Sequence, residues 1–217
     1  MSTAIKSDTI PRRVLHRISI YYRYLQYLDE AGIDRVSSKE LASKSGVTAS
    51  QLRQDLHYFG SFGQQGYGYR VDELLTRIRK IMGLDKEQSM VLIGAGRLGS
   101  ALASYGSFPR RGFRIQGVFD MDPGLHGEDL GGVAIRPVSD LPSFLEDNHV
   151  DIGIITVPAT SAQPVADLLV KGGVDAIWNF APVRLTVPST VTVEHIHLTD
   201  SLVALAFASK LNRSGVD

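Results

Sequence analysis

Residues 90–99 of this chain are Met90-Val91-Leu92-Ile93-Gly94-Ala95-Gly96-Arg97-Leu98-Gly99. The first four are apolar and typical of a buried strand, and the next six match G-x-G-x-x-G and open onto a helical stretch, residues 100–105. The first glycine allows a tight turn, the second lets the backbone approach a pyrophosphate, and the third lets the helix pack closely on the strand. The unpaired N–H groups at the start of the helix favour phosphate. The stretch therefore predicts a dinucleotide-binding loop made of Gly94, Ala95, Gly96, Arg97, Leu98 and Gly99.

A second apolar strand, residues 113–119, ends in Asp120, which is 21 residues after Gly99. An acid at about this distance accepts a hydrogen bond from the adenosine ribose of a bound dinucleotide. The residues right after Asp120 include no arginine to receive a 2′-phosphate, so the pattern favours NAD(H) over NADP(H). The alternative is that Asp120 only caps the turn before Pro123.

The rest of the chain alternates short apolar strands with helical stretches. The predicted strands are residues 133–135, 152–157, 176–179 and 191–196, and the predicted helices between them are residues 139–147 and 161–170. This alternation predicts an α/β Rossmann domain with a doubly wound, mostly parallel sheet. Ligands of such sheets bind beyond the carboxyl ends of the strands. That edge is predicted to carry Val157, Pro158, Asn179, Phe180 and Ala181, beside the nicotinamide half of the cofactor.

A helical module precedes this domain. Residues 13–31 carry apolar side chains at helical spacing, and two capping boxes follow, Ser37-x-x-Glu40 and Thr48-x-x-Gln51. Two short helices joined at Ser45-Gly46 predict an α-rich helix-turn-helix domain, whose second helix places its N-terminal residues against base edges in the major groove. The predicted DNA-binding residues of that helix are Ser50, Gln51, Arg53, Gln54 and His57. The alternative is a three-helix packing module that binds a protein or nothing.

Residues 60–69 hold four glycines interspersed with aromatic residues. This composition favours a short hairpin, the wing of a winged helix, which would approach the phosphate backbone or the minor groove closely. A helix over residues 74–82 is then predicted to link the two domains.

Composition limits the classes of function. The hydrophobic content of 43% and charged content of 21% describe an ordinary globular protein, and no apolar run approaches the roughly 18 residues of a membrane span. The absence of cysteine excludes disulfides and thiolate metal sites, so we expect a cytoplasmic protein without metal.

Residues 1–83 carry 13 Lys and Arg against 8 Asp and Glu, whereas residues 84–217 carry 10 against 15. A basic first part fits a polyanionic partner, although a chance partition of surface charge gives the same balance.

Hydride-transfer enzymes usually need a proton donor. His195 and His197 are predicted to face opposite sides at the end of the last strand, with Asp200 close by, and Tyr105 is near enough to the loop to reach the nicotinamide. Little of the chain remains for a substrate domain, so we predict a sensor without catalytic residues. The alternative is an NAD-dependent oxidoreductase with a helical oligomerisation domain.

The final helix, residues 201–211, is apolar nearly all the way round. Such a helix must be buried, either against its own sheet or across a dimer interface. A dimer is what a helix-turn-helix protein generally needs to bind two half-sites.

From about Pro11 to Leu211, the chain resembles the Rex family of redox-sensing transcriptional repressors. The resemblance is carried by residues 51–56, Tyr58-Phe59-Gly60, residues 66–69, the loop at Gly94 and Asn179-Phe180-Ala181-Pro182. It implies a winged helix followed by a Rossmann domain, a homodimer with exchanged C-terminal helices, an inverted-repeat operator and release by NADH. The predicted DNA-binding residues thereby extend to Tyr58 and, in the wing, Gly63 and Gln65.

The resemblance also implies that Tyr105 lies near the nicotinamide and that Arg23 connects the helical domain to the cofactor site. Three positions depart from the family pattern. Gln54 stands where a lysine is common and Gln65 where the wing often has an arginine, so the affinity for the operator or its salt dependence should differ. His197 stands where many members have an aspartate in the network with Arg23 and Tyr105, so this switch contact should differ too.

The expected organisation is a winged-helix DNA-binding domain over residues 1–83, a Rossmann NAD(H)-binding domain over residues 84–199, and an exchanged C-terminal helix over residues 200–217. The expected function is a repressor that responds to the NADH/NAD⁺ ratio. An apolar pocket formed by Val157, Pro158, Phe180 and Ala181 is expected to disfavour the positively charged ring of NAD⁺, since desolvation penalises charge.

Overall fold

The computed structural model describes residues 10–60 and 67–214, and the chain divides into two compact units, Met1–Lys86 and Glu87–Asp217. Among the described residues, no helix combines the length and the apolar character that crossing a membrane requires.

The first unit is helical with a small two-stranded sheet. Its elements are α1 (Arg12–Glu30), β1 (Arg35–Val36), α2 (Ser38–Lys44), α3 (Ala49–His57), β2 (Tyr69–Arg70) and α4 (Val71–Ile81). The side chains of Ser37 and Thr48 cap α2 and α3, accepting the backbone N–H of Glu40 and Gln51. Gly46, with φ of 69°, turns the chain between the two helices, so the predicted helix-turn-helix is confirmed.

The core of this unit forms on α1. The predicted apolar face is buried throughout, comprising Val14, Ile18, Tyr21, Tyr22, Leu25 and Leu28. The helix predicted to link the two domains instead belongs to the core of the first unit. It is α4, which begins at Val71 and buries Val71, Leu74 and Ile78. At the end of the predicted wing, Tyr69–Arg70 pairs antiparallel with Arg35–Val36. Residues 61–66 lie outside the described residues.

The second unit is built around a seven-stranded sheet. Its strands are β3 (Gln88–Ile93), β4 (Phe113–Asp120), β5 (Asp129–Leu130), β6 (Val133–Pro137), β7 (Ile152–Ile155), β8 (Ala176–Asn179) and β9 (Thr192–His195). Its helices are α5 (Arg97–Ala103), α6 (Ser107–Arg110), α7 (Leu141–Asp147), α8 (Ala159–Lys171) and α9 (Leu198–Ser214).

The strand order is β5-β6-β4-β3-β7-β8-β9, and all pairs are parallel except the edge pair β5–β6. The order reverses between β3 and β7, which is the doubly wound arrangement that the sequence predicts. A crevice for a ligand therefore opens at the carboxyl ends of these two strands.

The two faces of the sheet are covered unequally. One face packs against α7 and α8 around Val91, Phe119, Ile155 and Leu169. The other carries α5 and α6 over Met90, Leu92 and Ile154, and its outer part holds only partly buried aromatic residues, among them Phe108 and Trp178. An apolar cavity of about 380 Å³ lies there, between Tyr105, Phe108, Phe113, Ile152 and Trp178.

The last helix, α9, is exposed along its length. It begins at Leu198, three residues before the predicted start, and its large apolar side chains remain in contact with solvent: Leu202, Val203, Leu205, Phe207 and Leu211. Phe207 is 63% exposed. The option that this helix packs against its own sheet is therefore wrong, and its apolar surface is available to another chain.

Candidate cofactor and DNA-binding sites

The register of the sheet brings the predicted cofactor residues to one edge. Ile93 pairs with Phe119 and Ile155, Ile155 pairs with Asn179, and Asn179 pairs with His195. The next residue in each strand therefore lies along the carboxyl edge, and these residues are Asp120, Gly94, Thr156, Phe180 and Ile196. Backbone bonds continue across them, from Gly94 N–H to Phe119 C=O and from Thr156 N–H to Ile93 C=O.

Among the three glycines of the loop, only Gly96 faces open space. A Cβ on Gly99 would lie 1.9 Å from the carbonyl oxygen of Gly94, and a Cβ on Gly94 would lie 2.9 Å from the backbone of Thr156. These two glycines allow the loop, α5 and β7 to pack. At Gly96 a Cβ would meet nothing within 4 Å, and this exposed residue immediately precedes α5. The open space in front of the helix N-terminus fits a pyrophosphate.

Asp120 lies beside this loop. Its Oδ2 accepts the Ala95 N–H at 2.6 Å, and its Oδ1 accepts the Asp122 N–H at 2.8 Å. The carboxylate thus fixes the loop and caps the following turn. An ionised carboxylate has about four acceptor sites, so this half-buried group can still accept a ribose hydroxyl.

The residues predicted to surround the nicotinamide fall on two sides of the sheet edge. Phe180 packs on the α5–α6 side, whereas Val157 and Ala181 pack on the α7–α8 side, and Pro158 is exposed. Ala181 is buried, so the expected pocket of four apolar side chains reduces to Val157, Pro158 and Phe180.

Asn179 is also buried rather than displayed at the rim, with 0% exposure. Its Nδ2 donates to the carbonyl oxygens of Ala181 and Val183, and its Oδ1 accepts the Ala181 N–H. This side chain holds the turn after β8 in place. It acts on the crevice by fixing the path of residues 180–183.

A row of aromatic rings connects the crevice to Tyr105. Phe180 contacts Trp178 with ring centroids 4.6 Å apart, Trp178 contacts Phe108 at 6.1 Å, and Phe108 contacts Tyr105 at 5.1 Å, each pair edge-to-face. Tyr105 is 54% exposed and lies on the margin of the apolar cavity. The row was not predicted, because the two segments that supply it, residues 105–108 and 178–180, are far apart in sequence.

The two histidines do not face opposite sides. β9 ends at His195, so strand alternation stops there, and the rings of His195 and His197 stack with centroids 6.4 Å apart. The Nδ1 atom of His195 lies 3.1 Å from Nδ2 of Asn179. Within the described ranges, no group of three or more His, Asp or Glu side chains is placed to hold a metal ion.

The predicted DNA-binding helix, α3, displays most of its predicted residues. Ser50, Arg53, Gln54, His57 and Tyr58 are exposed, while Leu52 and Leu56 anchor the opposite face. Arg53 also donates to the Ser38 hydroxyl at 3.3 Å, which connects α3 to the start of α2. Gly63 and Gln65 lie outside the described residues.

Gln51 differs from its neighbours. It is half-buried, and its Nε2 donates to Oδ1 of Asp55 at 2.9 Å instead of completing the predicted capping box. This bond to an ionised group is roughly twice as strong as the neutral bond that the glutamine would accept from the N-cap N–H in a capping box.

Asp55 is the buried acid of α3 and was not predicted as a site residue. The Arg17 guanidinium donates to both carboxylate oxygens, at 2.6 and 2.7 Å, and the Tyr21 hydroxyl donates at 2.7 Å. Burial alone would raise the pKa of Asp55, but hydrogen bonds from Arg17, Tyr21 and Gln51 outweigh it, so the pKa of this carboxyl group lies below its usual range. The partners on α1 are more than 30 residues away, and no local pattern indicates them.

Arg23 lies further along α1, and its side chain is exposed, as is that of His197. Each belongs to a different unit, and their part in a switch stays a prediction.

Comparisons with known proteins match both units of the chain. A family model described as a CoA binding domain matches residues 85–183, and a model for a putative DNA-binding protein N-terminus matches residues 9–57. The redox-sensing transcriptional repressor Rex of Clostridium botulinum (strain Alaska E43 / Type E3) is 51% identical over 202 residues, covering 93% of this chain and 96% of that protein. The protein of the same name from Thermoanaerobacter sp. (strain X514) is 46% identical, covering 93% and 90%.

Solved structures of RSP, a Rex-family repressor, also match. RSP in complex with NAD⁺ and operator DNA is 44% identical with a TM-score of 0.86, covering 96% of this chain and 99% of that one. RSP in complex with NADH is 43% identical with a TM-score of 0.85, covering 95% and 96%. These relatives are named as transcriptional repressors and not as enzymes, so the oxidoreductase alternative is set aside. The chain belongs to the Rex family of redox-sensing transcriptional repressors.

Proposed function

We propose that this chain forms a homodimer that binds an inverted-repeat operator and leaves it when NADH binds, so that transcription follows the NADH/NAD⁺ ratio in the cytoplasm. One observation carries the proposal: a single chain folds into both a capped helix-turn-helix and a glycine loop at the switch point of a doubly wound sheet. The relative RSP, similar over nearly the whole chain, was solved with NADH and with NAD⁺ plus operator DNA.

The second unit holds the cofactor. The loop Gly94–Gly99 faces the pyrophosphate with the open side of Gly96 and the first N–H groups of α5. Asp120 accepts a hydroxyl of the adenosine ribose, and its negative charge repels the 2′-phosphate of NADP(H). Val157, Pro158 and Phe180 flank the nicotinamide, and the aromatic row connects Phe180 to Tyr105.

The nicotinamide surroundings distinguish the two redox states by charge. NAD⁺ carries a positive charge on its ring and NADH does not, and apolar walls penalise the charged ring because they cannot replace its hydration. A difference of about 2.8 kcal/mol gives a preference of about a hundredfold for NADH.

The first unit binds the operator. The exposed residues of α3 enter the major groove, and Gly63 and Gln65 of the wing approach the backbone or the minor groove. The exposed apolar face of α9 is buried by exchange with the second copy, whose own apolar cavity offers a receiving surface. We assign residues 1–83 to DNA binding, residues 84–199 to NAD(H) binding and residues 200–217 to the exchange, while Arg23, Tyr105 and His197 connect cofactor and DNA states.

Linkage makes the proposal testable. If NADH weakens operator binding by a given factor, the operator weakens NADH binding by the same factor. The experiment is to titrate NADH, and separately NAD⁺, into the protein bound to a labelled operator-like duplex, with anisotropy as the readout. We expect NADH to release the duplex at much lower concentration than NAD⁺. Equal release by the two forms, or release by neither, would refute the redox-sensor function.

A further inference from the structure

We propose that Asp55 sets the orientation of the Gln51 carboxamide, so that Gln51 presents its carbonyl oxygen to the major groove and selects a base with an exocyclic amino group. The inference rests on the proposed function, since it concerns how α3 contacts its operator. It makes Gln51 a specificity-determining residue and Asp55 a positioning residue.

The Asp55 carboxylate is fixed before DNA arrives. It is 0% exposed and receives four hydrogen bonds, two from Arg17, one from Tyr21 and one from Gln51. Arg17 and Tyr21 both belong to α1, the longest helix of the first unit. The acceptor that Gln51 meets is thus held by the core and not by a mobile surface group.

The donor and acceptor rules then leave one orientation for Gln51. An ionised carboxylate only accepts hydrogen bonds, so the end of the carboxamide facing Asp55 must be the NH₂ group, and Oε1 must point away from it. Asp55 remains ionised at neutral pH, because its pKa is held below the usual range by the donors around it. A glutamine free of such a partner can turn by 180° and present either end.

Gln51 also stands where a base contact is made. Its backbone N–H is bound by the capping residue Thr48, which places it in the first turn of α3, between the exposed residues Ser50 and Gln54. N-terminal residues of a recognition helix contact base edges. An outward carbonyl oxygen accepts from N6 of adenine or N4 of cytosine, and it is repelled by O6 of guanine and O4 of thymine.

The test removes single amino groups from the DNA. A duplex is first selected from a random library with the wild-type protein. Each adenine is then replaced by purine and each cytosine by 2-pyrimidinone, bases that lack the amino group, and the Kd is measured for wild type, Gln51→Met, Asp55→Asn and Tyr21→Phe. Gln51→Met keeps the length of the side chain without the amide, and Tyr21→Phe removes a different donor from the same carboxylate.

We expect one position in each half-site where loss of the amino group weakens wild-type binding about tenfold. At this position Gln51→Met should show no such loss, and whether the base is adenine or cytosine is given by the analogue that causes it. Asp55→Asn should show a smaller loss and a greater tolerance of guanine or thymine there, since an asparagine can meet either end of the amide. Tyr21→Phe should keep the wild-type loss.

Two results would overturn the inference. One is an amino-group penalty that persists unchanged in Gln51→Met at every adenine and cytosine. The other is an equal change of base preference in Tyr21→Phe and Asp55→Asn, which would mean that Asp55 only stabilises the unit. If Asp55→Asn fails to fold, as judged by circular dichroism, Gln51→Met still decides. A wild-type protein that selects no duplex would contradict the proposed function itself.

Discussion

The glycines of the cofactor loop have separate tasks that a single methyl group can distinguish. Gly99→Ala places a Cβ against the Gly94 carbonyl and should destabilise the second unit by about 3 kcal/mol, in the range for overpacking. The Cβ of Gly96→Ala has no protein atom within 4 Å, so the melting temperature of this variant should stay near that of wild type. NADH binding should weaken about tenfold or more, because the methyl group occupies the space where the pyrophosphate approaches the backbone. Thermal melts and NADH titrations, read from the fluorescence of the single tryptophan, Trp178, measure both effects.

The two variants separate a loss of stability from a loss of NADH binding. A Gly96→Ala protein that binds NADH as wild type does would show that the pyrophosphate does not approach this backbone. Normal stability of Gly99→Ala would contradict the close packing of loop and helix.

Single residues also show what the sequence alone reveals. The loop and Asp120 could be predicted, because their spacing along the chain is set by one strand-helix-strand unit. Asn179 is predicted to contact the cofactor because it ends a strand at the carboxyl edge of the sheet, and Gln51 is predicted to contact DNA because it lies at the start of the recognition helix. Their actual partners, the turn carbonyls after β8 and the Asp55 carboxylate, depend on chain positions that only the folded structure brings together.

Among the helices, α1 and α3 are joined by the hydrogen bonds of the Asp55 carboxylate to Arg17 and Tyr21. The pKa of Asp55 is lowered in the folded state, so its contribution to stability is complete above the unfolded pKa of about 3.9 and is lost as the pH falls through the lower folded value. Asp55→Asn should therefore be about 2 kcal/mol less stable than wild type at pH 7. The difference should shrink below about pH 4.

Urea unfolding of both proteins from neutral to acid pH measures this convergence. Asp29→Asn, on the exposed side of α1, is the matched control and should follow the wild-type profile. Parallel profiles for wild type and Asp55→Asn would mean that Asp55 is not preferentially ionised in the folded protein.

The last helix provides a second prediction for a whole element. Leu205 and Phe207 are each more than 60% exposed in the single chain, and full burial of such side chains contributes about 1.5–3 kcal/mol each. Leu205→Asp should therefore dissociate the dimer and abolish operator binding, because one recognition helix cannot span two half-sites. Sedimentation equilibrium reports the mass.

Ser201→Asp is the control for that experiment, since an acid in the first turn of a helix is favourable. A Leu205→Asp protein that stays dimeric would place the interface elsewhere.

Elements with a local signal were predictable and the others were not. Capping side chains fixed the starts of α2 and α3, and the apolar face fixed the core side of α1. The start of α4 was placed three residues late because Arg70 forms no side-chain cap. β1 and β2 are two residues each and pair across more than 30 positions, so no periodicity indicates them.

For the molecule as a whole, the basic balance of residues 1–83 predicts that operator binding depends on salt. Operator affinity should fall steeply with ionic strength, because phosphate neutralisation releases counterions, with a slope of about −0.9 per contact in a log–log plot. Gln54→Lys places a cation on the exposed side of α3 and should steepen the slope by about 2 for a dimer. Anisotropy titrations across a salt series measure the slope.

Ser143→Lys adds the same charge to the exposed side of α7 and should leave the slope close to that of wild type. If both variants steepen it alike, the added charge acts through the net charge of the protein and not through contact with the backbone.

The exposed α9 also has a genetic consequence. A mutant chain with an intact α9 but a mutated α3 would form heterodimers with wild-type chains. It would inactivate them, since a heterodimer can bind only one half-site. Alleles of that kind should be dominant. Nonsense alleles that stop before Leu198 should be recessive, because their products leave the normal copies to find one another.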